Sequence, residues 1–352
     1  LAQLLAFTPV AYLAHSGSVQ NLDAFLEDAA ASLGADSRRV LATVTWPLLR
    51  PGLANAFLLT VIESLADFGN PLVLGGDRNY LATEVFIAFT GRYDAVEASL
   101  YGLVLLGLVL AVFWVQYRWL GTGSFVTTTG RPTAGRFRPM PWSLELAVSG
   151  VLIFWGLLVL GLYGSVMVGS LVRLWGFDYG FTLKHYQDFL VLGLPVFLNS
   201  LKISLYAAIP TGILGVLLAY LIYRQDFPGK RGLEFSALLS FAMPGTVMGV
   251  GYVMAFNPEP WLLTGTTLLV VLALVYRELP VGMRAGLAGL AQIDPSLEEA
   301  SATLGASPQR TLFKVVLPLL LPALVAGLAF AFVRSMTAVS QVIFLVGPGN
   351  LL

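Results

Sequence analysis

The stretch Asp28-Ala-Ala-Ala-Ser-Leu-Gly34 decides the fold, because it occurs a second time as Glu299-Ala-Ser-Ala-Thr-Leu-Gly305. The two glycines are related by an offset of 271 (305 − 34 = 271), and the same offset maps Pro47-Leu-Leu49 onto Pro318-Leu-Leu320 without a gap. Isolated matches of Ala and Leu recur by chance in any apolar chain, but a single register with matched prolines and glycines does not. The sequence therefore predicts an internal duplication.

The composition places this duplication in a membrane protein. Apolar residues make up 57% of the chain and charged residues 11%, against roughly 25% charged residues in soluble domains. The mean hydropathy is +0.79, and apolar runs repeatedly approach the roughly 20 residues that an α-helix needs to cross a bilayer. After a partial helix over 1–14, we predict spans near residues 48–66, 100–120, 145–171, 199–223, 234–256, 262–283 and 317–337.

The basic residues orient these spans. Under strict alternation, four basic clusters fall on one side, which the positive-inside rule makes cytoplasmic. They are Arg38 and Arg39; Arg118 to Arg138; Arg224, Lys230 and Arg231; and Arg284, Arg310 and Lys314. The acidic segment 67–97 and residues 173–199 then lie outside. Six predicted spans, an even number, separate Pro47 from Pro318, so the two copies are parallel repeats.

A Gly/Thr/Pro-rich stretch without acidic residues, 121–142, is typical of a domain boundary. We expect 1–120 to be the C-terminal part of a first repeat unit and 121–142 to be a basic cytoplasmic linker. Residues 143–198 form an extra leading span with its periplasmic segment, and 199–352 a second unit without its C-terminus. The chain starts at Leu1 without a methionine and stops inside an apolar run, so both ends are expected to be cut. The predicted fold class is an all-α, polytopic membrane helical bundle.

Each copy of the repeated stretch is predicted to form a helix–turn–helix elbow between two spans. Asp23 and Asp294 are placed to cap the N-terminus of a first short helix. Gly34 and Gly305 are placed to end that helix in the left-handed conformation. The small residues between these points leave the helix backbone accessible to a partner. An ordinary loop that covers the base of the bundle is the alternative, although such a loop has no need to be repeated so closely.

The two elbows resemble the signature loop of permease subunits in binding-protein-dependent ABC importers. The pattern is Glu299-Ala300-Ser301-x3-Gly305 in the second copy and Asp28-Ala29-Ala30-x3-Gly34 in the first. Asp28, Ser301 and the Trp46 that precedes Pro47 depart mildly from the family pattern. The resemblance implies that Asp28, Ala29, Ala30, Gly34, Glu299, Ala300, Ser301 and Gly305 dock a separate ATP-binding subunit.

As a whole the chain is similar to fused, two-unit ferric-iron permeases, notably over Glu63–Gly76 and Phe332–Ser340. The resemblance implies two tandem permease repeats that form a channel in the bacterial inner membrane. It also implies transport of ferric iron from a periplasmic solute-binding protein, with an ATP-binding subunit, present as a dimer, and membrane lipid as further partners. Thiamine or phosphonate permeases, and less closely a secondary transporter, are the alternatives.

Several chemistries have no support in the sequence. No Gly-x4-Gly-Lys-Ser/Thr loop occurs, so the chain is not expected to bind nucleotide or to be an enzyme. The absence of cysteine excludes disulfides and thiolate sites. The net charge of zero gives no indication of a nucleic-acid partner. We predict no cofactor and no metal site, and interpret the acids of 67–97 as part of a solvated contact surface.

Charged residues in or near the spans are functional candidates, because an unpaired charge at membrane depth is costly. Glu63 corresponds to Arg334 at the offset of 271 (334 − 63 = 271), so the two side chains are candidates for an ion pair between the repeats. Their solvation near the outer interface is the alternative. Asp67 is a candidate for the pathway mouth or for contact with the binding protein. Arg277 and Glu278 are predicted to form a structural pair.

Overall fold

A computed structural model of the chain describes residues 1–20, 22, 24–120 and 142–347. Apart from Trp142, the predicted linker over 121–142 lies outside the described residues. The described part is built from α-helices, which confirms the predicted fold class. In chain order the helices are α1 (Ala2–Gln20), α2 (Ala24–Ser32), α3 (Ser37–Val40), α4 (Trp46–Ala66), α5 (Gly69–Leu74), α6 (Leu81–Phe86), α7 (Ala95–Leu120), α8 (Trp142–Gly169), α9 (Lys184–Asp188), α10 (Leu194–Arg224), α11 (Lys230–Ala242), α12 (Gly245–Phe256), α13 (Thr267–Leu290), α14 (Ser296–Thr303), α15 (Pro308–Thr311), α16 (Leu317–Leu319) and α17 (Leu321–Met336).

Shorter elements join some of these helices. A wider, π-helical turn is found at Leu41–Thr45, Ile87–Gly91, Phe189–Gly193 and Leu312–Val316, and a 3₁₀ turn at Val342–Phe344. Two strands, β1 (Val172–Leu174) and β2 (Asp178–Phe181), form an antiparallel hairpin in which Val172 pairs with Phe181. The hairpin lies in a segment for which the sequence predicted only a periplasmic connection.

Four continuous helices of the described part are long and apolar enough to cross a membrane. They are Ser37–Ala66, Ala95–Gln116, Trp142–Gly169 and Lys184–Arg224. The number rises to six if each of two bent helix pairs is one span: Lys230–Ser240 with Gly245–Phe256, and Pro308–Leu319 with Leu321–Met336, which is bent by 68°. Helix α13 occupies the predicted span 262–283 but does not reach the same apolar composition, because it carries Arg277, Glu278 and Arg284.

The span predicted over 234–256 is not one continuous helix in the structure. The chain forms α11 and α12 instead, which meet at an angle of 106°. Pro244 lies at the break, and Met243 before it has an extended backbone with φ −80° and ψ 127°. Proline has no N–H to donate to the helix and disfavours a helical conformation of the preceding residue. The helix therefore ends before Pro244 and a new one begins at Gly245.

The chain divides into two compact units, of which the first contains residues 1–64 and 112–194. In this unit α1 contacts α4 through Gln3, whose side chain bonds with Ser64: the Ser64 hydroxyl donates to the Gln3 carbonyl at 3.0 Å. Helix α7 contacts α4 through a hydrogen bond of 2.6 Å from the Gln116 amide to Asn55. Amide and hydroxyl pairs of this kind satisfy polar groups within an apolar helix bundle.

The second unit contains residues 65–111 and 195–352, and α13 is its central helix. Close packing around α13 depends on glycine. A Cβ added at Gly215 of α10 would lie 2.5 Å from the backbone carbonyl carbon of Gly282, which belongs to α13. A Cβ at Gly327 of α17 would lie 3.3 Å from the Ala285 Cβ and 3.6 Å from the Gly282 Cα of α13. Small residues at both crossings allow the helix backbones to approach directly.

Residues 65–111 pack into this second unit and are less polar than the acidic composition of 67–97 suggested. Phe68, Val85 and Ala88 are almost completely buried. Phe86 and Phe89 each form an edge-to-face contact with Phe344, at centroid distances of 5.8 and 5.5 Å. Of the acids, Asp67, Asp77 and Asp94 lie in connections, Glu84 in α6 and Glu97 in the first turn of α7. A buried apolar face thus accompanies the charged one.

Candidate functional site

The second elbow begins at Asp294, just before α14. The Asp294 carboxylate accepts a hydrogen bond of 2.9 Å from the N–H of Ser296, the first residue of that helix. This bond lowers the pKa of Asp294, because it stabilises the ionised carboxylate. One of the helix N–H groups that lack a partner within the helix is thereby satisfied. Asp294 thus caps the helix from the position before Pro295, whereas its counterpart Asp23 lies outside the described residues.

The first helix of each elbow ends in a left-handed glycine, as predicted. The φ angle is +87° at Gly34 and +77° at Gly305. Each glycine closes a Schellman motif, in which two N–H groups beyond the helix bond back to its last carbonyls. The bonds are Gly34 N–H to Ala31 O (3.0 Å) and Ala35 N–H to Ala30 O (3.1 Å) in the first copy, and Gly305 N–H to Ala302 O (2.9 Å) and Ala306 N–H to Ser301 O (3.1 Å) in the second.

The N-terminus of the second helix is capped in an equivalent way in both elbows. Asp36 accepts a hydrogen bond from the Arg39 N–H at 3.0 Å, and Ser307 accepts one from the Arg310 N–H at 3.3 Å. Both helices continue into a π-helical turn, Leu41–Thr45 in one copy and Leu312–Val316 in the other. All of these pairs are related by the same offset of 271 as the repeated sequence, so the duplication extends from sequence to backbone hydrogen bonds.

The predicted docking residues show the same exposure in both copies. Asp28, Ala29 and Gly34 are exposed and Ala30 is half-buried; Glu299, Ala300 and Gly305 are exposed and Ser301 is half-buried. The most prominent side chain in each elbow is a leucine that the sequence reasoning did not single out. Leu33 is 89% exposed and Leu304 is 88% exposed. In the sequence, this leucine could have been recognised by its position directly before the capping glycine, where a Schellman turn directs the chain away from the helix.

Side-chain contacts brace both elbows, and one of them ties the second elbow to α10. Arg224, at the end of α10, forms an ion pair of 2.8 Å with Glu298 and donates a hydrogen bond of 3.0 Å to the Ile293 carbonyl. The Ser301 hydroxyl bonds with Thr311 at 2.9 Å, within the second elbow. In the first unit, Glu27 accepts a hydrogen bond of 2.5 Å from Thr45. The second elbow is therefore tied to the end of α10, and hydrogen bonds within each elbow brace both copies.

A buried ion cluster lies in the second unit at Glu278, which is only 1% exposed. Its carboxylate is 3.3 Å from the Arg334 guanidinium and 3.8 Å from that of Arg277. The predicted Arg277–Glu278 pair is confirmed, but the sequence reasoning missed the closer contact with Arg334. Arg277 also donates to the Met243 carbonyl at 3.4 Å, at the break between α11 and α12. The pairing of Arg334 with Glu63 stays a prediction.

The remaining acidic candidates are engaged in local contacts. Asp67 accepts hydrogen bonds from the backbone and side-chain amides of Asn70, at 3.3 and 2.9 Å, and so orients the start of α5. Glu84 and Glu97 both pair with Arg92, at 3.0 and 2.9 Å, and these bonds raise the pKa of Arg92. Among the described residues, no group of three or more His, Asp or Glu side chains is arranged to hold a metal ion.

Comparison with known proteins identifies relatives among membrane transport components. Residues 211–352 match the family described as "Binding-protein-dependent transport system inner membrane component". The chain is 44% identical to a putative ferric transport system permease protein of Haemophilus influenzae over 98% of the chain and 56% of the relative. It is 42% identical to the ferric transport system permease protein of Actinobacillus pleuropneumoniae, over 98% of the chain and 51% of the relative.

A sulfate transport system permease protein of Escherichia coli is 36% identical over a shorter stretch, 40% of the chain and 54% of that relative. The chain thus spans about half the length of the curated relatives that it matches. The similarity to the two ferric permeases includes both elbows, because it extends over nearly the whole chain.

Proposed function

The chain belongs to the inner-membrane components of binding-protein-dependent transport systems, and from this premise we propose that it forms the translocation channel of a ferric-iron importer. The protein is a multi-pass transport subunit of the inner membrane and not a catalytic enzyme. The observation that carries the proposal is the duplicated elbow, because both copies have the same capping bonds and the same exposed leucine.

The elbows are suited to receive force from a partner. Each begins with a short helix whose end is fixed by a Schellman turn, and continues as a helix into the apolar segment that follows. A push on the elbow is therefore transmitted as a rigid-body movement of the attached helix. Since the sequence has no phosphate-binding loop of its own, the energy comes from a separate ATP-binding subunit, one copy for each elbow.

Leu33 and Leu304 are the proposed anchors for that subunit. A leucine that passes from water to an apolar pocket contributes about 1.5–3 kcal/mol to binding. The exposed backbone beside it, at Ala29 and Ala300, leaves room for a partner surface to approach the helix. The acid that opens each motif, Asp28 or Glu299, is exposed and supplies one negative charge to the same elbow. The partner groove is accordingly apolar at its base, with a basic or hydrogen-bond-donating rim.

The docking proposal is tested by cross-linking. A photoactivatable group is attached to Leu33→Cys or Leu304→Cys in a transporter without other cysteines, in membranes that contain the ATP-binding subunit. Both positions are expected to cross-link to that subunit. Tyr93→Cys is the matched control, because Tyr93 is also 88% exposed but lies in the segment predicted to face the opposite side. Equal cross-linking from Tyr93, or none from either leucine, contradicts the proposal.

The substrate follows from the relatives, two of which are named ferric transport permeases, and it needs a direct test. A strain that lacks the gene is compared with the complemented strain for uptake of radiolabelled ferric iron, sulfate, thiamine and a phosphonate. Loss and recovery of ferric-iron uptake alone is the expected result. Loss of sulfate uptake instead would assign the chain to the oxyanion permeases that it matches over 40% of its length.

A further inference from the structure

We propose that the hairpin formed by β1 and β2 is a lipid-binding element, with its aromatic side chains seated in the headgroup layer of the membrane. The hairpin and its surroundings belong to the first unit and are fully described by the structure. The proposal does not depend on the identity of the transported substrate or on the docking of an ATP-binding subunit.

The position of the hairpin at the membrane surface follows from the helix before it. Helix α8 has 28 residues, which at 1.5 Å per residue gives a length of about 42 Å. A bilayer is about 30 Å thick in its hydrocarbon core and about 40–45 Å thick with its headgroups. None of the residues in the apolar window of α8 is buried inside the protein. A helix of this length reaches headgroup level at its end, Gly169, and β1 begins shortly after it at Val172.

Specific contacts hold the hairpin against the end of α8. A Cβ added at Gly169 would lie 3.5 Å from the Trp175 ring, so the ring packs against the last turn of α8. The Thr182 N–H donates to the Leu171 carbonyl at 2.8 Å, which closes the base of the hairpin. The Ser170 hydroxyl is bonded to the Tyr186 hydroxyl at 2.8 Å. The hairpin is thereby fixed at the depth that α8 sets.

The surface that the hairpin presents has the chemistry of the membrane interface. Phe177 is 88% exposed, Phe181 69%, Tyr179 63% and Trp175 53%. Tyr179 and Phe181 point to the same face of β2 because they are two residues apart, and Trp175 contacts Tyr179 edge to face at 5.9 Å. In water, an aromatic surface of this kind would be unfavourable. Trp and Tyr are enriched at headgroup level, where the ring is in an apolar layer and the polar group reaches water.

The charges of the hairpin favour lipid over a charged protein partner. Arg173 and Asp178 pair with each other at 3.5 Å across the two strands. The hairpin itself therefore has no net charge, and nothing in it selects an acidic or a basic protein surface. A zwitterionic phospholipid is the partner that fits a neutral, aromatic surface fixed at the end of a membrane-spanning helix.

The test measures the depth of Phe177 in a bilayer. Phe177→Cys is prepared in a cysteine-free version of the transporter, labelled with an environment-sensitive fluorophore and reconstituted in phosphatidylcholine vesicles. Some vesicles carry lipid with a nitroxide at the headgroup, and others carry it deep in the acyl chain. We expect emission at shorter wavelength than in water and stronger quenching by the headgroup nitroxide. Asp226→Cys, with its side chain 99% exposed, is the aqueous control, and Ile153→Cys of α8 is the membrane control.

The aqueous control should be quenched by dissolved iodide and by neither lipid, and the membrane control most strongly by the deep nitroxide. If Phe177 behaves as Asp226 does, the hairpin is in water and the proposal is overturned. Protection of Phe177 from iodide and from both lipids would show a protein partner instead, which also overturns it. Phe181→Cys repeats the measurement on β2, so that a folding defect of one variant leaves the test intact.

Discussion

Substitution of Gly305 tests whether the conformation of the second elbow controls its function. Its φ of +77° is in the left-handed region, and a Cβ added there meets nothing within 4 Å. Gly305→Ala therefore introduces no clash, and its whole effect is conformational. For an L-residue with a side chain, the left-handed conformation costs about 1–2 kcal/mol. The cost is relieved only if the chain gives up the Schellman bonds from Gly305 and Ala306.

The expected loss of binding affinity can be calculated if only the intact elbow docks the ATP-binding subunit. A penalty of about 1–2 kcal/mol changes a conformational equilibrium by a factor of about 5–30. The dissociation constant of the ATP-binding subunit should therefore rise by up to that factor, because the competent fraction falls. Surface plasmon resonance on the transporter in nanodiscs measures this constant. The same change at Gly34, whose φ is +87° with nothing within 4 Å, should act equally.

Two further variants make the result specific. Gly305→Asn should lose less affinity than Gly305→Ala, because asparagine adopts the left-handed conformation more readily. Gly232→Ala, in the first turn of α11, also meets nothing within 4 Å but has no left-handed φ, so its affinity should equal that of the unmodified protein. Normal binding by Gly305→Ala, or equally weakened binding by Gly232→Ala, would show that the left-handed conformation of Gly305 does not control docking.

Three other substitutions test the packing, the buried charge and the cap. Gly215→Ala should destabilise the second unit by about 1–3 kcal/mol, because its Cβ would lie 2.5 Å from the rigid backbone of Gly282; thermal unfolding in detergent measures this. Glu278→Gln should lower the free energy of unfolding by about 3 kcal/mol or less, below the range for fully buried pairs, because Arg334 is partly exposed. The same thermal unfolding assay measures this loss. The pKa of Asp294 is lowered from 3.8, so its stabilisation of the elbow is present above that pH and is lost as the pH falls through the lower pKa of the folded state. Hydrogen exchange of the elbow amides should therefore show a loss of protection at acid pH in the unmodified protein. The loss of protection should be smaller in Asp294→Ala.

Matched controls accompany these measurements. Gly107→Ala lies in the span Ala95–Gln116 with nothing within 4 Å of its Cβ, and should leave stability unchanged or slightly higher. For the ion pair, Arg334→Gln combined with Glu278→Gln should be less destabilised than the sum of the single variants. Additivity would show that the contact between the two side chains carries no coupling energy. If the elbow amides lose protection equally at acid pH in Asp294→Ala and in the unmodified protein, Asp294 is not the source of the pH dependence.

The elbows were predictable because their information is local. Gly34 and Gly305 follow a run of helix formers, and a glycine in that place indicates a left-handed helix end whatever the surroundings are. The duplication strengthened the prediction, because each copy is independent evidence for the other. Leu33 and Leu304 were equally visible in the sequence, but their exposure is a property of the folded turn and not of the residue type.

The features that the sequence did not predict depend on contacts between distant segments. Glu278 and Arg334 are 56 residues apart, and only the packing of α13 against α17 shows that they meet. The offset of 271 pointed to Glu63 as a partner for Arg334, and that pairing stays a prediction beside the observed contact with Glu278. The bend at Pro244 was within reach of sequence reasoning, since a proline inside an apolar run is a known breaker, yet the apolar composition of 234–256 outweighed it.

The small hairpin escaped prediction for a different reason. Its strands have three and four residues, too few for a pattern of alternation to stand out beside the long apolar helix α8. Trp175 and Tyr179 are aromatic residues in a short connection, which composition alone cannot distinguish from part of a span. Their positions become informative only when the end of α8 is known.

The most direct test of the account is ATP-driven uptake of ferric iron in a reconstituted system. Vesicles contain the transporter and the ATP-binding subunit, with the iron-loaded binding protein on the opposite side from ATP. We expect accumulation of radiolabelled iron that requires ATP and is abolished by Leu33→Asp together with Leu304→Asp, since both anchors are then charged. Iron uptake that persists without ATP and follows an ion gradient would contradict it, as would full activity of the doubly substituted protein.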